Sequence, residues 1–193
     1  MMRHKIMINA IYADENLSLL HRDKVEENGV YVLLDDEFYD DKGVLKRNEI
    51  ANLSIDTYYN SLGLLETPPS PDNLIVIKRG ETKYSIYIVE LKNVAKLRSV
   101  KAENIKKKFE TAIKDFMENR YSHIFNKEDT KLVNLSLWLV CNRFKFIDTN
   151  ISEEDYMRKI RGGLMESLLL TKPYSFRNKL ARVELMLSGK DIL

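Results

Sequence analysis

The sequence predicts an α/β fold in which helices cover a central mixed β-sheet. A β-hairpin is expected over 71–92, where two runs of β-branched and apolar residues flank a turn at 79–82. A helix is expected over 100–119, because apolar side chains recur there at the helical period while lysines fill the other side. The stretch Lys131–Cys141 is apolar on both faces, which is typical of a central strand covered from both sides.

The other elements follow from the same patterns. A helix is predicted over 6–20, a short strand ended by acids over 30–34, and a helix over 44–62 with apolar residues near one face. The prolines of 68–71 make a stiff, extended linker into the hairpin. Two further helices are expected at the C-terminal end. One begins at the Ser152–Asp155 cap, and the other covers 175–187.

Composition places the chain among ordinary single-domain proteins. It has 193 residues, with 44% hydrophobic and 31% charged side chains, so one domain with a full core is expected over 1–193. No apolar run approaches the roughly 20 residues of a membrane span, and no association with a membrane is expected. The single cysteine, Cys141, excludes an internal disulfide, suits a reducing cytoplasm, and is expected to pack in the core.

Charge is distributed unevenly although the net charge is only +2. Residues 14–41 carry ten acidic and two basic side chains, whereas residues 92–108 carry seven basic side chains and one acid. A lysine-rich helix face is often only solvated. A basic segment directly after the hairpin would nevertheless favour binding of a phosphate backbone.

The hairpin brings three charged side chains together if its loop has three residues. With the loop Gly80-Glu81-Thr82, the numbers of paired residues sum to 162, so Asp72 lies opposite Glu90. Opposite residues point to the same face, and Lys92, two residues further on, shares that face with Glu90. A two-residue loop would shift the register by one and separate the two carboxylates.

This arrangement of side chains predicts a site for a hard cation. Two adjacent carboxylates repel each other, and Mg2+ is commonly held by one or two carboxylates and several waters. The backbone carbonyl of Leu91 is a candidate further ligand. Lys92 would lie beside a metal-bound water and the scissile phosphate, where it could orient the nucleophile or help to deprotonate it, and offset the charge that develops on phosphorus. The alternative is structural: Glu90 forms an ion pair with Lys92 or Lys78, and Asp72 is only a turn residue.

These residues resemble the PD-(D/E)xK nuclease superfamily. Pro71-Asp72 matches the PD element, and Glu90-Leu91-Lys92 matches (D/E)xK. The resemblance implies a restriction endonuclease-like three-layer sandwich with a core over about 44–141, flanked by 1–43 and 142–193. It also implies that Asp72 and Glu90 bind Mg2+, for which Mn2+ can substitute, and that Lys92 is the catalytic lysine.

Two features of the family are less easily located in the sequence. A glutamate on the helix before the PD strand assists in many members, and Glu49 is the candidate here. The family core usually has another strand between that helix and the PD strand, and only the short stretch 64–66 is available for it.

The expected function is therefore that of a Mg2+-dependent DNA endonuclease, most similar to a restriction enzyme that cuts double-stranded DNA as a homodimer. The alternatives are a structure-specific nuclease of repair or recombination and an inactive module that binds nucleic acid or a partner protein. Arg177, Lys179 and Arg182 are one option for reading bases. The candidate phosphate contacts are Lys96, Arg98, Lys101, Lys106, Lys107 and Lys108.

Overall fold

The structure, a computed structural model, describes residues 7–93, 100–142, 152, 154–155, 158 and 172–192. The fold within these residues is mixed α/β, with a multi-stranded mixed sheet flanked by helices, as the sequence predicts. None of the helices in this part of the chain is both long enough and apolar enough to cross a membrane.

The helices of the described residues are short. They are α1 (Met7–Ala13), α2 (Glu15–Leu19), α3 (Ile55–Ser61), α4 (Ala102–Glu110) and α5 (Ser122–Phe125). The predicted helix over 6–20 is thus divided at Asp14, whose side chain accepts hydrogen bonds from two N–H groups of α2. The helix predicted over 100–119 is confirmed as helical, but after α4 it continues as a π-helical segment, Thr111–Arg120.

Within the described ranges, ten strands form three sheets. They are β1 (Val25–Glu27), β2 (Val30–Leu34), β3 (Ile50–Ser54), β4 (Asn73–Lys78), β5 (Lys83–Lys92), β6 (Lys131–Cys141), β7 (Tyr174–Phe176), β8 (Lys179–Ala181), β9 (Val183–Leu187) and β10 (Lys190–Ile192). The central sheet has the order β3-β4-β5-β6-β9. Its first three strands are antiparallel neighbours, and β5, β6 and β9 run parallel. The other sheets are β1-β2-β10 and the hairpin β7-β8.

The central sheet is covered on both faces by different layers. On one face its side chains join a core with residues of α1 to α5, including Phe109 of α4. On the other face they pack with the small sheet β1-β2-β10 and with Phe38 and Leu45. The predicted strand Lys131–Cys141 is confirmed, because β6 has the same limits and contributes to both cores.

The helix predicted over 44–62 is wrong in its first half. Ile50 and Leu53 have helical spacing, but residues 50–54 form β3 and pair along β4. Ala51 and Leu53 point to the helical face of the sheet while Ile50 points to the opposite face, so the strand is buried on both sides. Strand pairing thus overrides a local helical pattern. Residues 64–66, considered as a strand, form none.

The helix predicted over 175–187 is also wrong. Arg177 and Asn178 have φ values of 46° and 64°, which an α-helix excludes, and they form the turn between β7 and β8. Beyond this turn β9 pairs in parallel with β6 and forms the edge of the central sheet. The helix predicted from Ser152 lies almost entirely outside the described residues.

Candidate active site

The hairpin β4–β5 has the register that the site requires. Leu74 pairs with Ile88 and Asn73 with Val89, so paired numbers sum to 162 and Asp72 reaches the position beside Glu90. The loop closes through a hydrogen bond of 2.7 Å from the Arg79 N–H to the Lys83 carbonyl. The predicted three-residue loop is therefore confirmed.

Asp72 is fixed at the end of β4 by the backbone of β5. Its Oδ2 accepts a hydrogen bond of 2.5 Å from the N–H of Leu91. Because the N–H and C=O of one residue point to the same side of a strand, the Leu91 carbonyl also points to the side on which Asp72 lies. The structure thus brings Asp72, Glu90 and the candidate carbonyl ligand to one end of the hairpin.

Glu90 is a fully buried carboxylate, with 0% of its surface exposed. The Nζ of Lys92 lies 2.7 Å from Oε1 of Glu90. Lys108, from α4, donates hydrogen bonds to both oxygens, at 2.7 Å to Oε1 and 2.9 Å to Oε2. Two ammonium groups therefore offset one buried negative charge, which would be very costly without partners.

Asp72 has an unusual proton affinity for a carboxyl group. Burial raises its pKa, and the negative charge of Glu90 raises it further. The Leu91 N–H and the charge of Lys108 act in the opposite direction, and the resulting pKa is about 8. Near neutral pH Asp72 therefore carries a proton, and a bound cation would have to replace that proton.

Lys92 keeps its proton at neutral pH. Burial by itself lowers its pKa, but the charge of Glu90 and the ion pair with it outweigh burial, so the pKa is raised above its usual value. The sequence left open whether Lys92 would orient the nucleophile or remove its proton. A raised pKa favours a charged, stabilising ammonium over a general base.

An acidic cleft of about 460 Å3 opens beside Asp72. The β1–β2 hairpin contributes Glu26 and Glu27 to its wall, and Asp56 at the start of α3 also lines it. The charge of Glu27 raises the pKa of both Asp72 and Lys92, so Glu27 belongs to the electrostatic surroundings of the site. The sequence indicated only an acidic segment over 14–41.

The β1–β2 hairpin is tied to the end of β5. Asn93, directly after β5, donates a side-chain hydrogen bond of 2.6 Å to the carbonyl of Asn28 in the hairpin turn. Asn142, directly after β6, donates in turn to the side-chain oxygen of Asn93 at 3.3 Å. These contacts hold the hairpin next to the end of the sheet that carries Glu90.

Glu49 does not belong to this group. It lies in the loop before β3 instead of on a helix, and its carboxylate is 3.9 Å from the ammonium of Lys78. Its carbonyl accepts from the Lys78 N–H at 2.8 Å, at the turn end of β4. About six residues of strand, roughly 20 Å, separate this end from Asp72. The prediction that Glu49 assists at the site is therefore wrong.

The predicted phosphate contacts fall into four groups. Lys101, directly before α4, and Lys107, on α4, are both exposed. Lys106 forms an ion pair with Glu103 at 2.7 Å. Lys108 points inward to Glu90 and so belongs to the candidate active site. Lys96 and Arg98 lie outside the described residues.

Cys141 is adjacent to this site in the fold but is not a nucleophile. It is paired in register with Lys92 and is fully buried in the helical-face core. Burial raises the pKa of its thiol to about 12, so the thiolate is scarce at neutral pH. This agrees with the predicted role in packing.

The donor atoms fit a cation that keeps most of its waters. Within the described parts of the chain, no three His, Cys, Asp or Glu side chains come together as a metal site. Asp72 and Glu90 supply two carboxylates, and the Leu91 carbonyl lies on the same side of β5 as Asp72. One or two carboxylates with several waters is the usual environment of Mg2+, whereas a structural Zn2+ site would need four ligands.

No protein-family model, curated protein or solved structure matches this chain.

Proposed function

We propose that this chain is a Mg2+-dependent nuclease that hydrolyses phosphodiester bonds in DNA, of the PD-(D/E)xK type. The observation that carries the proposal is the convergence of Asp72, Glu90 and Lys92 at one end of the hairpin. A strand pairing shifted by one residue would have placed the carboxylates on opposite faces of the sheet. Charged groups buried at a strand end are costly and are typical of functional sites.

The order of the elements supports the same proposal. The superfamily core needs a strand between its first helix and the PD strand, and β3 occupies that place. Along the chain, β4 and β5 follow as the next two strands of the sheet. The chain then passes through α4 and returns to the sheet as β6, which lies parallel to β5. This order favours a restriction endonuclease-like core, although the layer opposite the helices is here a small β-sheet.

The residues would divide the chemistry as follows. Mg2+ bound by Asp72 and Glu90 would supply a Lewis acid that withdraws charge from a phosphoryl oxygen. Asp72 would give up its proton to become a ligand. Lys92 would keep its ammonium charged and stabilise the negative charge that develops on phosphorus. The exposed lysines at α4 would attract the phosphate backbone, whereas the cleft beside Asp72 is acidic and would repel it.

The proposal includes double-stranded DNA as the substrate and a homodimer as the active form. Two identical sites related by a two-fold axis suit the cutting of both strands of a duplex. A structure-specific nuclease of repair or recombination would use the same centre. Cleavage of linear duplex, branched junction and single-stranded DNA by the same preparation would distinguish these substrates.

The test is cleavage of plasmid DNA in the presence of Mg2+. Asp72→Asn and Lys92→Met should each abolish cleavage, because they remove a metal ligand and the stabilising charge. Glu49→Gln and Lys78→Met are matched controls, since this pair lies at the opposite end of the same strands. Both control proteins should cut like the native chain.

Two outcomes would contradict the catalytic proposal. One is equal cleavage by the native chain, Asp72→Asn and Lys92→Met, which would indicate a contaminating nuclease. The other is DNA binding by all the proteins without cleavage by any of them under varied Mg2+ and Mn2+ concentrations. That result would favour the module that only binds nucleic acid.

A further inference from the structure

Lys108 holds Glu90 in a way that Lys92 does not. The ammonium of Lys108 donates hydrogen bonds to both carboxylate oxygens, at 2.7 and 2.9 Å, and the ammonium of Lys92 forms an ion pair with Oε1 at 2.7 Å. Lys108 therefore bridges both oxygens of the carboxylate. An ionised carboxylate offers about four lone-pair positions, and these three contacts use most of them.

The helix that carries Lys108 is anchored firmly. The next residue, Phe109, is fully buried in the core between α4 and the central sheet, and only 14% of the Lys108 side chain is exposed. The long, flexible stem of lysine nevertheless lets its ammonium move by several ångströms without any shift of the helix. The pairing with Glu90 is thus built into the fold but is reversible.

A divalent cation and Lys108 compete for Glu90. A cation bound to this carboxylate would lie within a few ångströms of the ammonium, and like charges at that separation repel strongly in a buried site. The charge of Lys108 also stands in for a cation when none is bound, since its ammonium occupies both oxygens of a fully buried carboxylate.

We propose that Lys108 is a positioning residue of this centre that holds the Glu90 carboxylate in place before a divalent cation binds, and that releases Glu90 when the cation binds. The released ammonium then becomes available to a phosphate group of the nucleic acid. Binding of the cation and of the phosphate backbone would thereby be coupled. This inference rests on the proposed function, because it takes Glu90 to be a ligand of the cation.

The test is calorimetric titration of the DNA-free protein with Mn2+ alone. Lys108→Met removes the competing ammonium and should bind Mn2+ about tenfold more tightly than the native chain, which corresponds to the loss of one nearby positive charge. Lys107→Met is the matched control, because Lys107 is the preceding residue of α4 and is exposed. It should bind Mn2+ within about twofold of the native chain, as expected for a screened surface charge.

Lys108→Arg tests the inference without removing the buried charge. Its guanidinium can bind both oxygens of Glu90 in a fixed fork, so Mn2+ should bind more weakly than to the native chain. This variant keeps the ion pair and should fold even if Lys108→Met does not. Equal Mn2+ affinity for the native chain and Lys108→Arg would overturn the inference, as would a Lys108→Met protein that binds no more tightly than Lys107→Met.

Failure of the inference can be separated from failure of the proposed function. Suppose that the native chain binds Mn2+, that Asp72→Asn does not, and that substitution of Lys108 leaves the Mn2+ affinity unchanged. The metal site is then supported, and the proposed competition between Lys108 and the cation is wrong. If Mn2+ binds no better to the native chain than to Asp72→Asn, there is no metal at this centre and both ideas fail.

Discussion

Asp72 accepts a hydrogen bond from the backbone N–H of Leu91 at 2.5 Å, across the end of the hairpin from Glu90. This contact couples the chemistry of the site to the register of two strands. The carboxyl group is held close to a second, fully buried carboxylate, which it would otherwise avoid. The consequence is a carboxyl group that carries a proton at neutral pH.

The affinity for Mn2+ should rise with pH up to about pH 8. Asp72 has a pKa of about 8 because of burial and the charge of Glu90, so below that pH a cation must displace its proton. Between about pH 6 and 8 the affinity should increase by up to about tenfold per pH unit. Titrations in two buffers with different ionisation enthalpies should reveal release of close to one proton. An affinity that stays flat over this range would contradict the protonated state.

Asp72→Asn should stabilise the metal-free protein at alkaline pH. The pKa of an unperturbed aspartate carboxyl group is 3.8, whereas that of Asp72 is about 8 in the folded chain. A raised folded pKa contributes stability that is present below about pH 4 and is lost as the pH rises through about 8. At about pH 9 the variant should therefore be more stable by about 2 kcal/mol, a figure reduced from the full shift because buried groups relax.

Urea unfolding in the presence of a chelator, at about pH 4.5 and about pH 9, measures this difference. The free energies of unfolding of the native chain and Asp72→Asn should be closer at the acidic pH than at the alkaline one. Glu49→Gln, at the opposite end of the sheet, is the control and should show no such divergence. A native chain that gains stability relative to Asp72→Asn as the pH rises would show that the carboxylate is favoured in the folded state.

Glu27→Gln should lower the pKa of Asp72 in the metal-free protein. The charge of Glu27 raises that pKa from the wall of the cleft, and its removal leaves burial and Glu90 as the main causes. We expect a shift of a fraction of a pKa unit, since Glu27 is exposed and its charge is partly screened. Carbon NMR of the labelled Asp72 carboxyl measures it, with Glu26→Gln as the neighbouring control. An equal shift in both variants would indicate a general effect of the acidic cleft instead of a specific one.

The part of the site that the sequence predicted is the part carried by neighbouring strands. The turn residues at Gly80 and the apolar runs on either side determine the hairpin, and simple counting then places Asp72 beside Glu90. Lys92 follows because alternate residues of a strand share a face. These relationships are local, so a single sequence contains them.

The missed residues reach the site through long-range packing. Lys108 lies on α4, whose orientation about its own axis is determined by the burial of Phe109 in the core. Glu27 lies on the β1–β2 hairpin, which is held in place by a hydrogen bond from Asn93 and by pairing with β10. The missed strands have the same cause. Residues 183–187 become β9 only by pairing with β6, which lies far earlier in the chain.

Lys101→Met and Lys107→Met should weaken DNA binding in a way that depends on salt. Both side chains are exposed at the basic helix α4, and a lysine that contacts a phosphate releases a counterion when DNA binds. Each substitution should lower the slope of the logarithm of affinity against the logarithm of salt concentration by about one. Fluorescence anisotropy of a labelled duplex at several salt concentrations measures this slope. Every protein in the series also carries Asp72→Asn, which prevents cleavage of the duplex. Lys114→Met is the matched control, because Lys114 is also exposed but is already paired with Glu118 at 2.8 Å. If Lys114→Met changes the slope as much as the other two, the effect reflects total charge and the phosphate backbone does not follow α4.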